Sequence, residues 1–159
     1  MTDKRRGSVC LSTGPNLVPL IDPEQNGIVL KKISDMRGQV LKKCGLNIQG
    51  VHVIDHIKKV NGYQIMIGED IVAHGEAFIS KYFVEKSVLE LQKLKIQGKA
   101  AVNPINQNIG SWVSGTNIRK MIQHQLTYIN CPEFICEHLF SSIIQNIDHI
   151  RTMIGDSNE

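Results

Sequence analysis

The sequence of 159 residues lacks the short motifs that assign a chemistry directly. It has no Gly-rich loop ending in a lysine for phosphate binding, no Gly-x-Ser-x-Gly nucleophile elbow and no His-Glu-x-x-His metal pair. The signatures of P-loop nucleotide hydrolases, α/β-hydrolases and zinc proteases are therefore missing. We predict no catalytic residue, no metal site and no cofactor.

Long apolar runs are missing as well. Hydrophobic residues make up 42% of the chain, which suits a globular core. The longest apolar runs, such as Leu17–Ile21, fall far short of the roughly 20 residues that cross a bilayer. The basic start, Met1–Gly7, is followed by Ser8–Gly14, which is too polar for the apolar core of a secretory signal. We therefore expect no membrane span, no signal peptide and a cytosolic location.

Aromatic residues are scarce, at 5%, and they are not interleaved with basic residues. Surfaces that bind nucleic acids combine the two, because bases stack on aromatic rings while phosphates pair with cations. The formal net charge is only +3, with basic residues in excess over positions 1–60 and acidic residues in excess over 131–159. A basic-face nucleic-acid binder is therefore the third hypothesis for this chain, and we expect no nucleic-acid partner.

The four cysteines have no Cys-x-x-Cys spacing, and we interpret them as reduced structural thiols. Cys44, or Cys136 with nearby His138, allows a small thiol or histidine enzyme as the second hypothesis. Residues two apart on a helix point to different sides, which weakens the Cys136 pair. His52 and His56 have the spacing of a helical metal pair, but the surrounding sequence predicts a strand, where that spacing separates them by about 13 Å.

Hydrophobic periodicity predicts a mixed arrangement of helices and strands. Apolar residues three and four apart predict an amphipathic helix over Ile28–Cys44, which Gly45 ends. Short apolar runs predict strands at Leu17–Ile21, Val51–Ile54 and Tyr63–Ile67, and from Ile71 onward, with a hairpin turn at Gly68–Asp70.

The second half of the chain gives weaker signals. Phe78–Ile96 fits a helix and a strand equally well, and the polar stretch Gly98–Gly110 predicts a loop. Ser114 is a suitable N-cap for a short helix, and Leu126–Ile129 predicts a returning strand. From Pro132 the pattern predicts one continuous helix of about six turns with an unbroken apolar face.

Several short segments follow one another in a characteristic order. They are Gly14–Asp22, a helix with Arg37, Leu41 and Gly45, Val51–Asp55, Asn61–Ile67, Gly75–Glu76, Asn103–Pro104, Ser111–Val113, Leu126–Asn130, Pro132 and His138–Leu139. Their order and spacing, over about residues 11–155, resemble the cytoplasmic part of the FlhA-type export-gate family. That family comprises the large membrane subunits of flagellar and injectisome type III secretion systems.

The resemblance implies an α/β (α+β) fold, with a mixed sheet, packed helices, a small inserted subdomain and a long C-terminal helix. The expected boundaries are a main α/β subdomain at 14–76 and 111–130, an inserted subdomain at 77–110, and the first helix of a following helical subdomain at 131–155. Residues 1–13 and 156–159 are then expected to be a linker and a tail.

The resemblance also implies a non-enzymatic role at the cytoplasmic face of the bacterial inner membrane. Expected partners are other export-gate subunits, secretion chaperones, export substrates and components of the ATPase complex. Docking would use the cleft between the main and inserted subdomains. The residues implied there are Asn103, Pro104, Ile105, Asn106, Trp112, Glu137 and His138. Plain core packing is an open alternative for Trp112.

The chain departs from the flagellar pattern at the implied docking site. The flagellar Asp-Pro-Ala-Phe-Gly segment is replaced by Asn103–Gln107, and the threonine before His-Leu is replaced by Glu137. These differences favour an injectisome branch or a diverged paralogue. Because the family's further helices are not in this sequence, the apolar face that begins at Pro132 must fold back, self-associate or stay exposed. We predict concentration-dependent association through it.

Overall fold

Two four-stranded β-sheets, each with its own helices, make up the part of the chain that the structure describes. The structure is a computed structural model, and it describes residues 9–22, 24, 27–46, 48, 51–55 and 57–157. The chain divides into two units, Met1–Glu76 with Leu139–Glu159, and Ala77–His138. The predicted α+β class, with a mixed sheet and packed helices, is confirmed.

The sheet of the first unit has the strand order β2-β1-β3-β4. Its strands are β1 (Val9–Thr13), β2 (Val51–Asp55), β3 (Gly62–Ile67) and β4 (Asp70–Glu76). β1 lies parallel to β2 and antiparallel to β3, so the sheet is mixed. The predicted hairpin between β3 and β4 is present, and Gly68 adopts a positive φ of 62° in its turn.

The strand β1 corrects the expectation that residues 1–13 form a linker. All five of its residues are buried, and it pairs on both sides within the sheet. A strand that is central in a sheet needs apolar or small residues on both faces, and the Val-Cys-Leu-Ser-Thr sequence supplies them. Residues 1–8 lie outside the described part of the chain.

The helix α2 confirms its predicted bounds, Ile28–Cys44. Its buried side chains, Val29, Ile33, Met36 and Val40, follow the predicted apolar stripe. Gly45 ends the helix with a φ of 66°, and its N–H donates to the Leu41 carbonyl at 3.0 Å. A left-handed residue after the last turn is a common way to end a helix, and glycine adopts it without steric cost.

The segment Leu17–Ile21 is helical, so its predicted strand is wrong. A short 3-10 helix spans Pro15–Leu17, and the one-turn helix α1 follows at Val18–Ile21. Each begins with a proline in its first two positions, where the fixed φ favours a helical turn and the missing N–H costs nothing. The prolines therefore decide between helix and strand in a run too short for periodicity.

The sheet of the second unit has the order β6-β7-β5-β8, and its neighbouring strands are all antiparallel. The strands are β5 (Lys81–Val84), β6 (Gly98–Val102), β7 (Ile109–Ser114) and β8 (Tyr128–Asn130). The unit also contains the helices α3 (Val88–Lys93) and α4 (Ile118–Gln123), and these helices share a hydrophobic core with the sheet. That core contains Val84, Leu91, Ile96, Val113 and Met121.

This unit changes several sequence-based expectations. Gly98–Gly110 is a hairpin rather than a loop, because β6 is an edge strand with mainly exposed side chains and therefore lacks the apolar alternation of a buried strand. Phe78–Ile96 contains both a strand, β5, and a helix, α3. The predicted returning strand is present two residues later, at Tyr128–Asn130. Ser114 caps the predicted short helix through a 3-10 turn, accepting from the Thr116 N–H at 3.3 Å.

The unit boundary also differs from the expected subdomain boundary. Residues 111–130 were grouped with 14–76, but they lie in the second unit with 77–110. Strand pairing is the reason, since β7 pairs with both β5 and β6, and β8 pairs with β5.

The C-terminal segment forms two helices instead of one. They are α5 (Cys131–Gln145) and α6 (Ile147–Ser157), separated at Asn146. The Asn146 side-chain amide donates to the Ser142 carbonyl at 2.7 Å, and this local bond competes with regular helix geometry. The apolar stripe of α5 is buried, with Ile135, Leu139 and Ile143 all at most 1% exposed. Of the three outcomes expected for this face, it folds back. Among the described residues, no helix combines the length and the apolar character needed to cross a bilayer.

Candidate functional site

An open groove in the second unit has a volume of about 900 Å³. Its lining comes mainly from the end of β5, the helix α3 and the segment that leads from α4 into β8. Its lining includes Glu85, Lys86, Lys93, Asn103, Gln125, Thr127 and Glu137 at the polar positions, and Phe83, Leu94, Leu126, Tyr128 and Ile129 at the apolar ones.

The apolar floor of the groove belongs to the core of the unit. Leu94, Leu126 and Tyr128 pack against the buried cluster around Leu91 and Met121. The Tyr128 ring also makes an edge-to-face contact with Tyr82, with 5.2 Å between the ring centroids. Because these residues are anchored in a close-packed core, the floor is preformed.

An asparagine-rich loop forms the rim beside Asn103. The Glu85 carboxylate accepts hydrogen bonds from the side-chain amides of Asn103 at 2.7 Å, Asn106 at 3.1 Å and Asn108 at 3.5 Å. The bonds from Asn106 and Asn103 stabilise the charged form and lower the pKa of Glu85.

The same asparagines also fix the backbone of the loop. The Asn103 side-chain oxygen accepts from the Ile105 N–H at 2.8 Å, and the Asn106 side-chain oxygen accepts from the Asn108 N–H at 2.9 Å. Such local bonds are typical of Asx turns. The rim is therefore an ordered turn centred on one carboxylate.

Glu137 also lines the groove, from the first part of α5. Partial burial raises its pKa, and repulsion from Glu133 raises it further. The start of this helix is capped by Asn130, whose side-chain oxygen accepts from the Glu133 N–H at 2.9 Å. The groove thus has two carboxylates, Glu85 and Glu90, whose pKa values are lowered, and a third, Glu137, whose pKa is raised.

Trp112 and His138 are core residues, 2% and 6% exposed. The Trp112 ring makes edge-to-face contacts with Phe78, Phe83 and Phe134, with centroid distances of 5.5, 5.6 and 4.8 Å. Trp112 is therefore packed in the core, which was the alternative to a role in partner contact. Neither side chain offers a partner much surface.

The structure therefore brings together only part of the implied docking set. Asn103 and Glu137 line one groove, and Asn106 is tied to the same rim through Glu85. Pro104 and Ile105 lie in the loop itself, with Ile105 39% exposed. The groove lies wholly within the second unit, whereas the expected cleft lay between two subdomains.

Sequence reasoning missed Glu85 and the segment Gln125–Ile129. The only signal for Glu85 was indirect, since three closely spaced asparagines need a common acceptor to form an ordered turn. Gln125 has a positive φ of 55°, a conformation that asparagine and glycine adopt more readily and that the sequence did not signal.

The residues considered for a thiol enzyme, Cys44 and the pair Cys136 and His138, do not line the groove, whose lining contains His124 but no cysteine. Burial raises the pKa of the Cys131 thiol to about 12, so it stays protonated and is a poor nucleophile at neutral pH. His56 lies outside the described residues, and within them no group of three or more His, Cys, Asp or Glu side chains is arranged to hold a metal.

The sequence is similar to flagellar biosynthesis proteins. It is 27% identical over 141 residues to the flagellar biosynthesis protein FlhA of Buchnera aphidicola, covering 88% of this chain and 20% of that protein. It is 27% identical over 143 residues to FlhA of Bacillus subtilis, covering 89% of this chain and 20% of that protein. The chain thus spans about one fifth of the length of these relatives.

The fold is similar to solved domains of type III secretion proteins. The Chlamydia pneumoniae CdsV protein matches with a TM-score of 0.73 at 20% identity, over 94% of this chain and 48% of that one; CdsV has also been solved in complex with CdsO. A cytoplasmic domain of Salmonella InvA matches with a TM-score of 0.67 at 13% identity, over 94% and 86%. Nonameric SctV-C of EPEC matches with a TM-score of 0.57 at 10% identity, over 94% and 43%.

A protein-family model shows which family the chain belongs to. The model of the FHIPEP family matches residues 3–155, which is nearly the whole chain. Together with the mixed sheet, the inserted antiparallel unit and the fold shared with CdsV, this match confirms the resemblance inferred from the ordered segments. The chain belongs to the FHIPEP family.

Proposed function

We propose that this chain is a non-enzymatic cytoplasmic module of a type III protein-export gate, at the cytoplasmic face of the bacterial inner membrane. Membership of the FHIPEP family and the fold shared with CdsV and InvA support this role. The high pKa of Cys131 and a groove lining without cysteine favour this role over a thiol enzyme. Whether the chain serves a flagellar or an injectisome gate stays a prediction.

The module docks chaperone and substrate complexes in the groove of the second unit. The observation that carries this assignment is a groove whose apolar floor is anchored in the core and whose lining also has polar side chains, a combination typical of protein-binding sites. Asn103 and Glu137 contact the partner from the groove lining, while Asn106 orders the loop that presents Pro104 and Ile105. Trp112 and His138 act from the core by supporting the strands and helix beneath.

Self-association is a second part of the proposal. The EPEC relative assembles as a nonamer and CdsV forms a complex with CdsO. By analogy, other gate subunits and components of the ATPase complex are further partners of this chain. Because the apolar stripe of α5 is buried, copies must associate through other surfaces. Light scattering after size exclusion, over a range of concentrations, measures this directly, and a monomer at every concentration contradicts it.

Filling the groove tests the docking assignment. Thr127 is exposed and lines the groove, so Thr127→Trp places a large side chain in it without removing core contacts. We expect affinity for a purified chaperone–substrate complex from the same bacterium, measured by biolayer interferometry, to fall about tenfold or more, a loss of about 1.4 kcal/mol.

Gln123→Trp is the matched control, because Gln123 is equally exposed but does not line the groove. Its affinity should equal that of the unmodified chain. Equal affinities for the Thr127→Trp and Gln123→Trp variants would place docking elsewhere on the chain.

A further inference from the structure

A second recess in the same unit differs from the groove in its charge. It has a volume of about 560 Å³, and its charged lining residues are Lys81, Lys95 and Lys99. Ser114 and Thr116 add hydroxyl groups to the lining, and no carboxylate is part of it. Within the described part of the chain, none of these lysines forms an ion pair with an aspartate or glutamate.

Strand register places two of the lysines on one face of the sheet. Lys99 of β6 lies opposite Trp112 of β7, which in turn lies opposite Phe83 of β5. Since side chains alternate along a strand, Lys81 shares a face with Phe83 and therefore with Lys99. Both ammonium groups lie over the ring of Phe78, whose centroid is 5.2 Å from Lys81 Nζ and 4.5 Å from Lys99 Nζ.

A further positive charge lies next to these. The Lys120 ammonium donates to the Lys95 carbonyl at 2.9 Å, which holds it beside the recess. Like charges gathered without an anion repel one another, and the nearby phenyl ring compensates only in part. The cluster is therefore electrostatically complementary to a group with several negative charges.

The recess lies along an edge of the sheet. Among the described strands, β6 pairs with β7 alone, so its outer side carries backbone groups that an added strand can bond. Lys99, Ala100 and Val102 of this strand are exposed. A lysine on an edge strand discourages pairing with apolar strands, but it favours a strand that brings carboxylates. The edge and the lysines thus select the same kind of occupant.

We propose that this basic edge, defined as β6 with Lys81, Lys95, Lys99 and Lys120, binds an extended acidic peptide segment of a partner protein. The peptide main chain pairs with β6, and its carboxylates on one face meet Lys99. The Lys81 ammonium, which lies over the same Phe78 ring as that of Lys99, adds positive charge beside them. This site is separate from the groove, and it does not depend on the proposed docking of chaperones there.

A short fluorescein-labelled peptide in which Glu and Thr alternate is a direct probe. Alternation puts all the carboxylates on one face of an extended chain. We expect saturable binding to the full chain by fluorescence anisotropy, weakening steeply as salt is raised. The same peptide with Gln at each Glu position should not bind. Binding of the Gln peptide with equal affinity overturns the proposal, and so does the absence of saturable binding by the Glu peptide.

Charge reversal on the chain supplies the second comparison. The double variant Lys81→Glu with Lys99→Glu should bind the Glu peptide about tenfold more weakly or worse, as expected for losing two charge pairs and gaining repulsion. Lys31→Glu with Lys58→Glu makes the same charge change in the first unit and should bind normally. Equal affinities for the two double variants overturn the proposal.

Amide shifts in the unmodified chain make the test independent of how the variants fold. In a ¹⁵N-labelled sample, the peptide should shift the amide signals of β6 and of residues 114–117. Shifts confined to other parts of the chain overturn the proposal. Full competition by free glutamate or inorganic phosphate at low millimolar concentration would also overturn it, because it would show a simple anion site rather than a peptide site.

Discussion

The two units differ in which parts of the chain, and which residue types, form their hydrophobic cores. The first collects strands and helices from both ends of the chain around β1, whose residues Val9, Cys10 and Leu11 are fully buried. The second is one continuous segment and holds six of the eight aromatic residues of the chain. The first core is therefore mainly aliphatic and made of distant segments, whereas the second is local and combines an aliphatic cluster with an aromatic cluster around Trp112. Local contacts close at a lower entropy cost, so the second unit should form independently of the first.

Removing Trp112 should have the largest effect. Its ring contacts three phenylalanine rings in the second unit, so Trp112→Ala removes the centre of that cluster. We expect a loss of about 3–5 kcal/mol in the free energy of unfolding. Urea unfolding followed by circular dichroism measures it, and Trp112→Phe, which keeps an aromatic ring, should lose clearly less. Equal losses for the two variants would show that the aromatic packing adds nothing specific.

Leu11→Ala is the corresponding change in the first unit. Leu11 is fully buried in the central strand, and its truncation should cost about 2–5 kcal/mol. Trp112, the only tryptophan, reports on the second unit alone. If the units unfold separately, Leu11→Ala should shift the circular dichroism transition to lower urea while the tryptophan fluorescence transition stays in place. Coincident transitions in this variant would contradict the independence of the units.

The sequence predicted local structure well where residues close together in the chain determine it. The bounds of α2 follow from its apolar stripe and from Gly45, and the β3–β4 hairpin follows from the turn at Gly68. The strand predicted at Leu17–Ile21 was wrong because five apolar residues fit either structure, and only the position of Pro19 in the first turn separates them. The strand character of β6 depends on pairing with β7, which its own exposed residues do not signal.

The candidate site was predicted in part for the same reason. Asn103 and Glu137 were inferred from a family resemblance, and both line the groove. The acceptor that organises Asn103, Asn106 and Asn108 is Glu85, at least 18 positions away along the chain. Only the β5–β7–β6 pairing brings them together, and neither spacing nor composition encodes that register. Trp112 was named as a contact, but its place in the sheet buries it.

Tight glycines offer a finer comparison of the two units. A Cβ on Gly14 would collide with the backbone of Lys59 and Val60, and one on Gly110 would collide with the Phe83 ring and with the Val84 carbonyl oxygen. Overpacking of this kind costs about 1–3 kcal/mol. At Gly14 the closest contact is with rigid backbone, whereas at Gly110 it is with a side-chain ring and is less close. We therefore expect Gly14→Ala to lose more stability than Gly110→Ala in thermal or urea unfolding. The reverse order would mean that the aromatic core is the less adaptable of the two.

Gly38→Ala is the control for these substitutions. Gly38 lies within α2 and has open space around its Cα, so the added methyl group meets nothing within 4 Å. Alanine has the higher helix propensity, and the variant should gain about 0.5–1 kcal/mol. A loss of stability in Gly38→Ala would show that the effects at Gly14 and Gly110 do not come from steric contacts alone.

The smallest expected effect is a pH dependence that comes from the groove of the second unit. Burial and Glu133 raise the pKa of Glu137, so its folded-state pKa lies above its unfolded value. The stability linked to this group is then fully present below the unfolded pKa and is lost as the pH rises through the folded pKa. Glu137→Gln cannot lose a proton, and we expect its stability relative to the unmodified chain to increase as the pH rises through that window.

Glu85 should respond with the opposite sign, because the asparagine bonds lower its pKa. Its contribution is present above the unfolded pKa and is lost as the pH falls through the folded pKa. Glu85→Gln should therefore be less stable than the unmodified chain at neutral pH, with the difference vanishing in acid. Urea titrations of both variants at a series of pH values measure the two slopes. Slopes of the same sign would contradict the different surroundings that the structure gives these two carboxylates, one held by amides and the other beside a second acid.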